Sequence, residues 1–445
     1  MVFSSAIFLL YFLPLFLLVY FATPVRYKNY TALLGSLVFY AWGAPTFIFF
    51  LLASIIIDFY LVRKLSEALN FGERLTKVYL FLSVLLNVGL LAYFKYANFF
   101  VENLNALLGS LGFESLDWTS VALPIGISFF TFQKLSYTLD VYNKRDEPLE
   151  KLSDYALYII LFPQLIAGPI VRFNEIADQL RDRAEALHID NKINGIFRFS
   201  IGLAKKLFIA NVLGEYVDLY FDNELLTTGT LDAWIVMLAY AFQIYFDFSG
   251  YSDMAIGIGL MLGFRIPENF NFPYISQNIT EFWRRWHISL SRWMKDYLYI
   301  PLGGNRRGVY RTYFNLTVVF LISGLWHGAA WTFVFWGAYH GLFLVLERLF
   351  LLKVYQRIGK LLSIALCFFI VLIGWVLFRA ESLDLVIEML HNMFFYKESE
   401  MVFSTQFRMM LILAAVFSFM GFASKAELFF NRLYQKSSFQ SLCWK

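Results

Sequence analysis

Long apolar runs separated by short polar joints set the character of this chain. Residues 1–22, 30–42, 47–61 and 78–94 are such runs, and Gly43 and Pro45 favour a tight turn between the second and third. A helix needs about 20 apolar residues to cross a bilayer, so the pattern predicts membrane spans. The first run has neither a basic leader nor a convincing cleavage signal and reads as a retained span. From 97 to 120 the pattern loosens into an expected loop. Residues 153–170 are apolar but broken by Pro163, Gly168 and Pro169, which predicts a re-entrant segment walled by protein, because lipid cannot satisfy open backbone. The stretch 193–214 would have to cross while carrying Arg198, Lys205 and Lys206, the least favourable span in the chain. Residues 313–350 would form a helix of about 57 Å, too long for one pass, so two short passes with a bend at 324–330 are expected. Runs at 361–378 and 407–422 complete an all-α polytopic membrane protein. We expect roughly ten transmembrane helices plus re-entrant and interfacial helices around a central funnel, in one domain over residues 1–445.

Residues 281–299 are patterned differently. At about 100° per residue, Phe282, Trp286, Ser289, Leu290, Trp293 and Tyr297 share one arc, Arg284 and Lys295 oppose it, Arg285 and Arg292 flank one edge, and His287 lies near the other. This predicts an amphipathic helix at the membrane surface.

Composition agrees with lipid as the solvent: 59% of residues are hydrophobic, 20% aromatic and only 16% charged. The net charge of +4 is spread over loops, so no dense basic tract supports a nucleic-acid partner. Two cysteines, Cys367 and Cys443, are too few for a disulfide framework or a Cys-based metal site. Charge instead suggests topology. Basic loops around 63–77, 172–206 and 264–311 are expected in the cytoplasm and the acidic loops at 97–120 and 212–232 outside. That places the N-terminus outside and the C-terminus, with Lys425, Arg432, Lys436 and Lys445, inside.

His327 is the only ionisable group between residues 316 and 339. Near neutral pH an imidazole can accept and return a proton, yet a hydrogen-bonded structural histidine fits the same pattern. Asp247, Ser249 and Asp253 interrupt another apolar run, either as a proton relay or as hydrogen-bonding groups at a broken helix. His340 is expected to be structural, and His188 and His391 to be loop-like. No His-Glu-x-x-His pattern or Cys cluster supports a metal, and no phosphate-binding glycine fingerprint occurs.

Five motifs in one order carry a resemblance: LPIGISFFTFQKLSYTLDVY (123–142), LFPQLIAGPIVRF (161–173), QIYFDFSGYSDMAIGIGLMLGF (243–264), FWRRWHISLSRWMKDYLYIPLGGNR (282–306) and GLWHGAAWTFVFWGAYHG (324–341). Across residues 120–350 the chain resembles the membrane-bound O-acyltransferases, in particular the branch with bacterial alginate O-acetyltransferases. The resemblance implies a bacterial inner-membrane enzyme with no tightly bound cofactor. It would move an acetyl group from a cytosolic thioester, acetyl-CoA, toward a hydroxyl of an extracytoplasmic polysaccharide or a partner protein. It implies that His327 is the general base and that His287 belongs to the active site. Arg284, Arg285, Lys295 and Arg306 become candidates for the donor's phosphates, although topology alone also accounts for cations there. D-alanyl transfer from a carrier protein remains the nearby alternative, and a transporter or scaffold of exopolysaccharide machinery the distant one.

Overall fold

The computed structural model describes residues 3–165, 168–182, 188–222, 229–399 and 401–422; the C-terminal cations named above and Cys443 lie outside the described residues. No strand occurs among the described residues. In chain order the helices are α1 Leu13–Ala22, α2 Lys28–Gly43, α3 Phe47–Ala68, α4 Glu73–Leu91, α5 Ala97–Ser110, α6 Ile127–Tyr142, α7 Leu152–Ile160, α8 Phe162–Leu165 and α9 Phe173–Arg181. They continue as α10 Ile189–Ala204, α11 Asn211–Asp222, α12 Thr230–Leu262, α13 Ile279–Arg285, α14 Ile288–Met294, α15 Val309–His327, α16 Trp331–Leu346, α17 Leu352–Arg379, α18 Leu383–Phe394 and α19 Thr405–Phe419. Among the described residues three stretches are long and apolar enough to cross a membrane: Glu73–Ser110, Thr230–Leu262 and Trp331–Arg379. The chain is a multi-pass membrane protein. Contacts divide it into two units, one of residues 1–193 with 258–266 and one of 194–257 with 267–445.

In the first unit, α2 and α3 form the expected hairpin across residues 44–46. The loop expected from residue 97 is instead helical to Ser110, after a π-helical turn at Ala92–Tyr96. Its amides clasp the segment that follows: Asn98 Oδ1 accepts from Trp118 Nε1 and Val121 N–H, both at 2.9 Å, and Asn105 bonds the backbone of Leu116 in both directions. The segment expected to be re-entrant is broken at Leu161, and its residues 155–165 are buried. Protein groups serve its backbone, as such a break requires. Ser36 Oγ accepts from Phe162 N–H at 3.1 Å, and Gln164 Nε2 donates to Tyr158 O at 2.5 Å.

In the second unit, the cations of the doubtful span find partners. Gly195 and Gly202 of α10 face Gly257 and Gly250 of α12, where a Cβ on Gly202, Gly250 or Gly257 would collide with backbone of the opposite helix. This close antiparallel crossing brings Arg198 to Asp253, with Nε to Oδ1 at 2.7 Å, and Arg198 also reaches Glu268. Lys205 meets Asp253 at 2.6 Å, and Lys206 pairs with Asp247. Buried charges are tolerated when paired in this way. The run 313–350 is, as expected, two helices, α15 and α16, separated at residues 328–330. Gly324 and Gly337 let them pack backbone to backbone. His188 lies just before α10, whereas His391, read as loop-like, sits on α18.

Candidate active site

The run expected to be one amphipathic helix is two short ones, α13 and α14, meeting at Trp286 and His287. The predicted apolar arc is buried and Arg284, Arg292 and Lys295 are exposed, but His287 is not at an edge: it is 1% exposed. The break has a long-range cause. Asn271 N–H donates to Arg285 C=O at 2.9 Å, and Ile288 N–H to Asn269 C=O at 3.0 Å, replacing helical bonds with bonds to the preceding segment. His287 consequently adopts a left-handed backbone, φ 45°, which costs a non-glycine residue about 1–2 kcal/mol. Asn269 offsets this cost. Its Oδ1 accepts from His287 Nδ1 at 3.1 Å, Ser289 N–H at 3.2 Å and Ser289 Oγ at 2.9 Å, while its Nδ2 donates to Ser252 Oγ at 3.3 Å.

Glu347 fixes the other end of α13. This buried carboxylate accepts from Ile279 N–H, from Thr280 N–H at 3.0 Å and from Thr280 Oγ1 at 2.6 Å. An anion at a helix N-terminus satisfies donors that have no partner within the helix. Asn278 completes the cap by accepting from Glu281 N–H at 2.7 Å.

His327 is the last residue of α15, partly exposed, and Gly328 continues in extended backbone. Its ring centroid lies 6.5 Å from that of His287, with Trp326 edge-on to His327 at 4.9 Å and 6.0 Å from His287. Trp336 of α16 and Phe378 of α17 each stand 5.1 Å from His327, and Phe248 of α12 stands 4.7 Å from His287. Two imidazoles forty positions apart thus share an enclosure of aromatic rings. Trp336 Nε1 is buried without a hydrogen-bond partner among the described residues. His340 lies behind Trp336, at 5.0 Å from that ring, and packs against Trp283.

The other candidates fall outside this enclosure. Asp247 and Asp253 are counter-ions of the α10 segment, and Ser249 Oγ is buried without a hydrogen-bond partner among the described residues. Helix periodicity separates the roles on α12: Phe248 and Ser252 face His287 and Asn269, while Gly250, Asp253 and Gly257 face α10. Arg284, Lys295 and Arg306 are exposed and form no ion pair among the described residues. Arg285 is held by Glu281 at 2.9 Å and by Asn271 C=O at 3.1 Å. Among the described residues no group of three or more His, Cys, Asp or Glu could hold a metal ion. Sequence reasoning passed over Asn269 and Glu347. Asn269 carried one signal, an amide inside the Pro-Glu-Asn-Phe-Asn-Phe-Pro segment just before the Trp-His motif.

The model of the MBOAT, or membrane-bound O-acyltransferase, family matches residues 76–356. The chain is 48% identical over 394 residues to the "Probable alginate O-acetylase AlgI" of Azotobacter vinelandii, covering 88% of this chain and 78% of that protein. It is 40% identical over 426 residues to the peptidoglycan O-acetyltransferase of Helicobacter pylori, covering 88% of this chain and 80% of that protein. The teichoic acid D-alanyltransferase of Bacillus subtilis is 29% identical over 336 residues, covering 67% of this chain and 82% of that protein.

Proposed function

The chain belongs to the membrane-bound O-acyltransferase family, and on that premise we propose that it is an O-acetyltransferase drawing on a cytosolic acyl thioester, acetyl-CoA. The acetyl group goes to a hydroxyl of an extracytoplasmic polysaccharide, directly or through a partner protein. The hydroxyl proton passes to His327 as its oxygen attacks the thioester carbonyl carbon. The tetrahedral oxyanion collapses, the C–S bond breaks, and the proton ends on sulfur, so one ester and one thiol form with no net proton change. His287 shares the proton traffic, and the indole N–H of Trp336 is a donor of the kind an oxyanion needs. The observation that carries this reading is the convergence of His287 and His327 within one aromatic enclosure.

The exposed cations Arg284, Lys295 and Arg306 bind the phosphates of the donor, and Arg285, already engaged, contributes less. The enzyme resides in the bacterial inner membrane, with its N-terminus outside and its C-terminus in the cytoplasm.

The test is transfer from labelled acetyl-CoA by purified protein, with His327→Ala and His287→Ala compared at matched folding. Loss of transfer with retained thioester binding supports the reading, and wild-type rates in both variants refute it. A parallel arm with a D-alanyl carrier-protein thioester addresses the second reading, which the Bacillus subtilis relative favours. Substrate flux that survives loss of His327 would instead mark a transporter.

A further inference from the structure

We infer that Asn269 is a positioning residue that locks His287 in its neutral Nδ1–H tautomer and leaves Nε2 as a proton-accepting edge of the imidazole pair. The inference rests on the acyl-transfer reading above. The backbone N–H of Ser289 decides the orientation of the amide. That group can only donate, and it lies 3.2 Å from the Asn269 side chain, so the atom facing it is the carbonyl oxygen Oδ1. The other end agrees: Nδ2 then faces Ser252 Oγ at 3.3 Å, an atom able to accept. An amide oxygen can only accept, so His287 Nδ1, 3.1 Å from it, carries a hydrogen. A neutral imidazole has one donor and one acceptor nitrogen, which makes Nε2 the acceptor. Among the described residues Nε2 has no hydrogen-bond partner.

The backbone serves the same end. The left-handed conformation of His287 turns the N–H groups of Ile288 and Ser289 toward Asn269, so one residue holds the turn, the ring and its tautomer together. Left-handed non-glycine backbone at a reactive centre is the kind of strain that persists only where surrounding bonds over-determine it. His287 is therefore a receiver in the resting enzyme. Its Nε2 accepts a hydrogen from the substrate hydroxyl or from the His327 ring. The resulting imidazolium keeps its Nδ1–H bonded to Asn269 until the proton moves on to the departing sulfur. An amide suits this role because it orients the ring without the negative charge that would favour imidazolium at rest.

The chain has five histidines, so 15N-histidine spectra of the full-length protein in nanodiscs can be assigned by single replacements. Expected is a pyrrole-type Nδ1 and a pyridine-type Nε2 for His287; Asn269→Asp keeps an acceptor oxygen, so Nδ1 should stay pyrrole-type, while its charge should make Nε2 take up a proton at higher pH than in the wild type. Asn269→Leu should mix the tautomers and lower kcat on the order of a hundredfold, with the KM for acetyl-CoA unchanged. Asn269→Asp should recover much of that loss only at a pH high enough to leave Nε2 unprotonated. A protonated Nε2 in the wild-type spectrum overturns the inference, as does a wild-type kcat in folded Asn269→Leu protein. Should Asn269→Leu fail to fold, the wild-type and Asn269→Asp spectra still decide. Inactive His327→Ala beside fully active Asn269→Leu refutes this inference alone. Fully active His287→Ala and His327→Ala proteins refute the acyl-transfer reading, while the spectrum still reports the tautomer.

Discussion

Replacing Asp58 with alanine should destabilise the full-length protein by about 3–5 kcal/mol. Asp58 is fully buried on α3, where Oδ1 accepts from Ser83 Oγ at 2.7 Å and Asn87 Nδ2 at 2.8 Å, and Oδ2 accepts from Tyr155. Its opposing charge is Lys134 on α6, 1% exposed, whose Nζ donates to Ser54 Oγ at 2.7 Å. Each hydrogen bond to a charged group contributes about 1.5–3 kcal/mol, so three of them would exceed the expected loss. Relaxation and water entry bring it back to the range measured when one partner of a buried pair is removed. Lys134→Met should cost a similar amount. Asp58→Asn keeps an acceptor for Ser83 and Asn87 but leaves the Lys134 charge unopposed, and it closes a cycle with Lys134→Met: the double variant Asp58→Asn/Lys134→Met removes both charges and should be more stable than the sum of those two singles implies, by about 1–3 kcal/mol. Denaturant unfolding in mixed micelles, followed by tryptophan fluorescence, measures all four corners of the cycle. Two results would refute the reasoning: single variants that each lose less than about 1 kcal/mol, as an exposed pair would, or a double variant that is simply additive.

Two further outcomes are expected. Glu347→Gln puts an amide donor against donors at the start of α13, so stability should fall by about 1–3 kcal/mol and kcat should fall with it; thermal unfolding and steady-state kinetics check this, and unchanged kcat would separate Glu347 from the placement of His287. Gly337→Ala drives a methyl into the Phe320 carbonyl between α15 and α16 and should cost about 1–3 kcal/mol, whereas Gly89→Ala, with nothing within 4 Å, should leave stability the same or slightly higher; equal unfolding midpoints for the two variants would contradict the glycine packing.

Much of the fold was legible because its signals are local. Pro163 and the flanking glycine and proline announced a broken segment, and the excess length of 313–350 announced a hairpin whose bend fell where expected. The buried arc of Phe282, Trp286, Leu290 and Trp293 followed from period alone, even though the helix carrying it breaks in the middle. The errors share one source. Residues 97–120 read as an acidic loop because the apolar pattern loosens there, and the amides at 98 and 105 turn out to bind a segment up to twenty-three positions away.

The amino-acid sequence by itself determined that the chain lives in lipid and that it is helical, and its resemblance to the O-acyltransferases made His287 and His327 the candidates for chemistry. Apolar period, glycine and proline placement and the scarcity of charge are properties of neighbouring residues, readable without coordinates. Tertiary structure alone decided which groups meet. Asn269 lies eighteen positions before the imidazole it orients, Glu347 caps a helix sixty-eight positions earlier, and Arg198 finds Asp253 only where two pairs of glycines let the helices touch. Hydrogen bonds and ion pairs act over a few ångströms of space whatever the separation along the chain, so such partnerships exist only once the helices have packed.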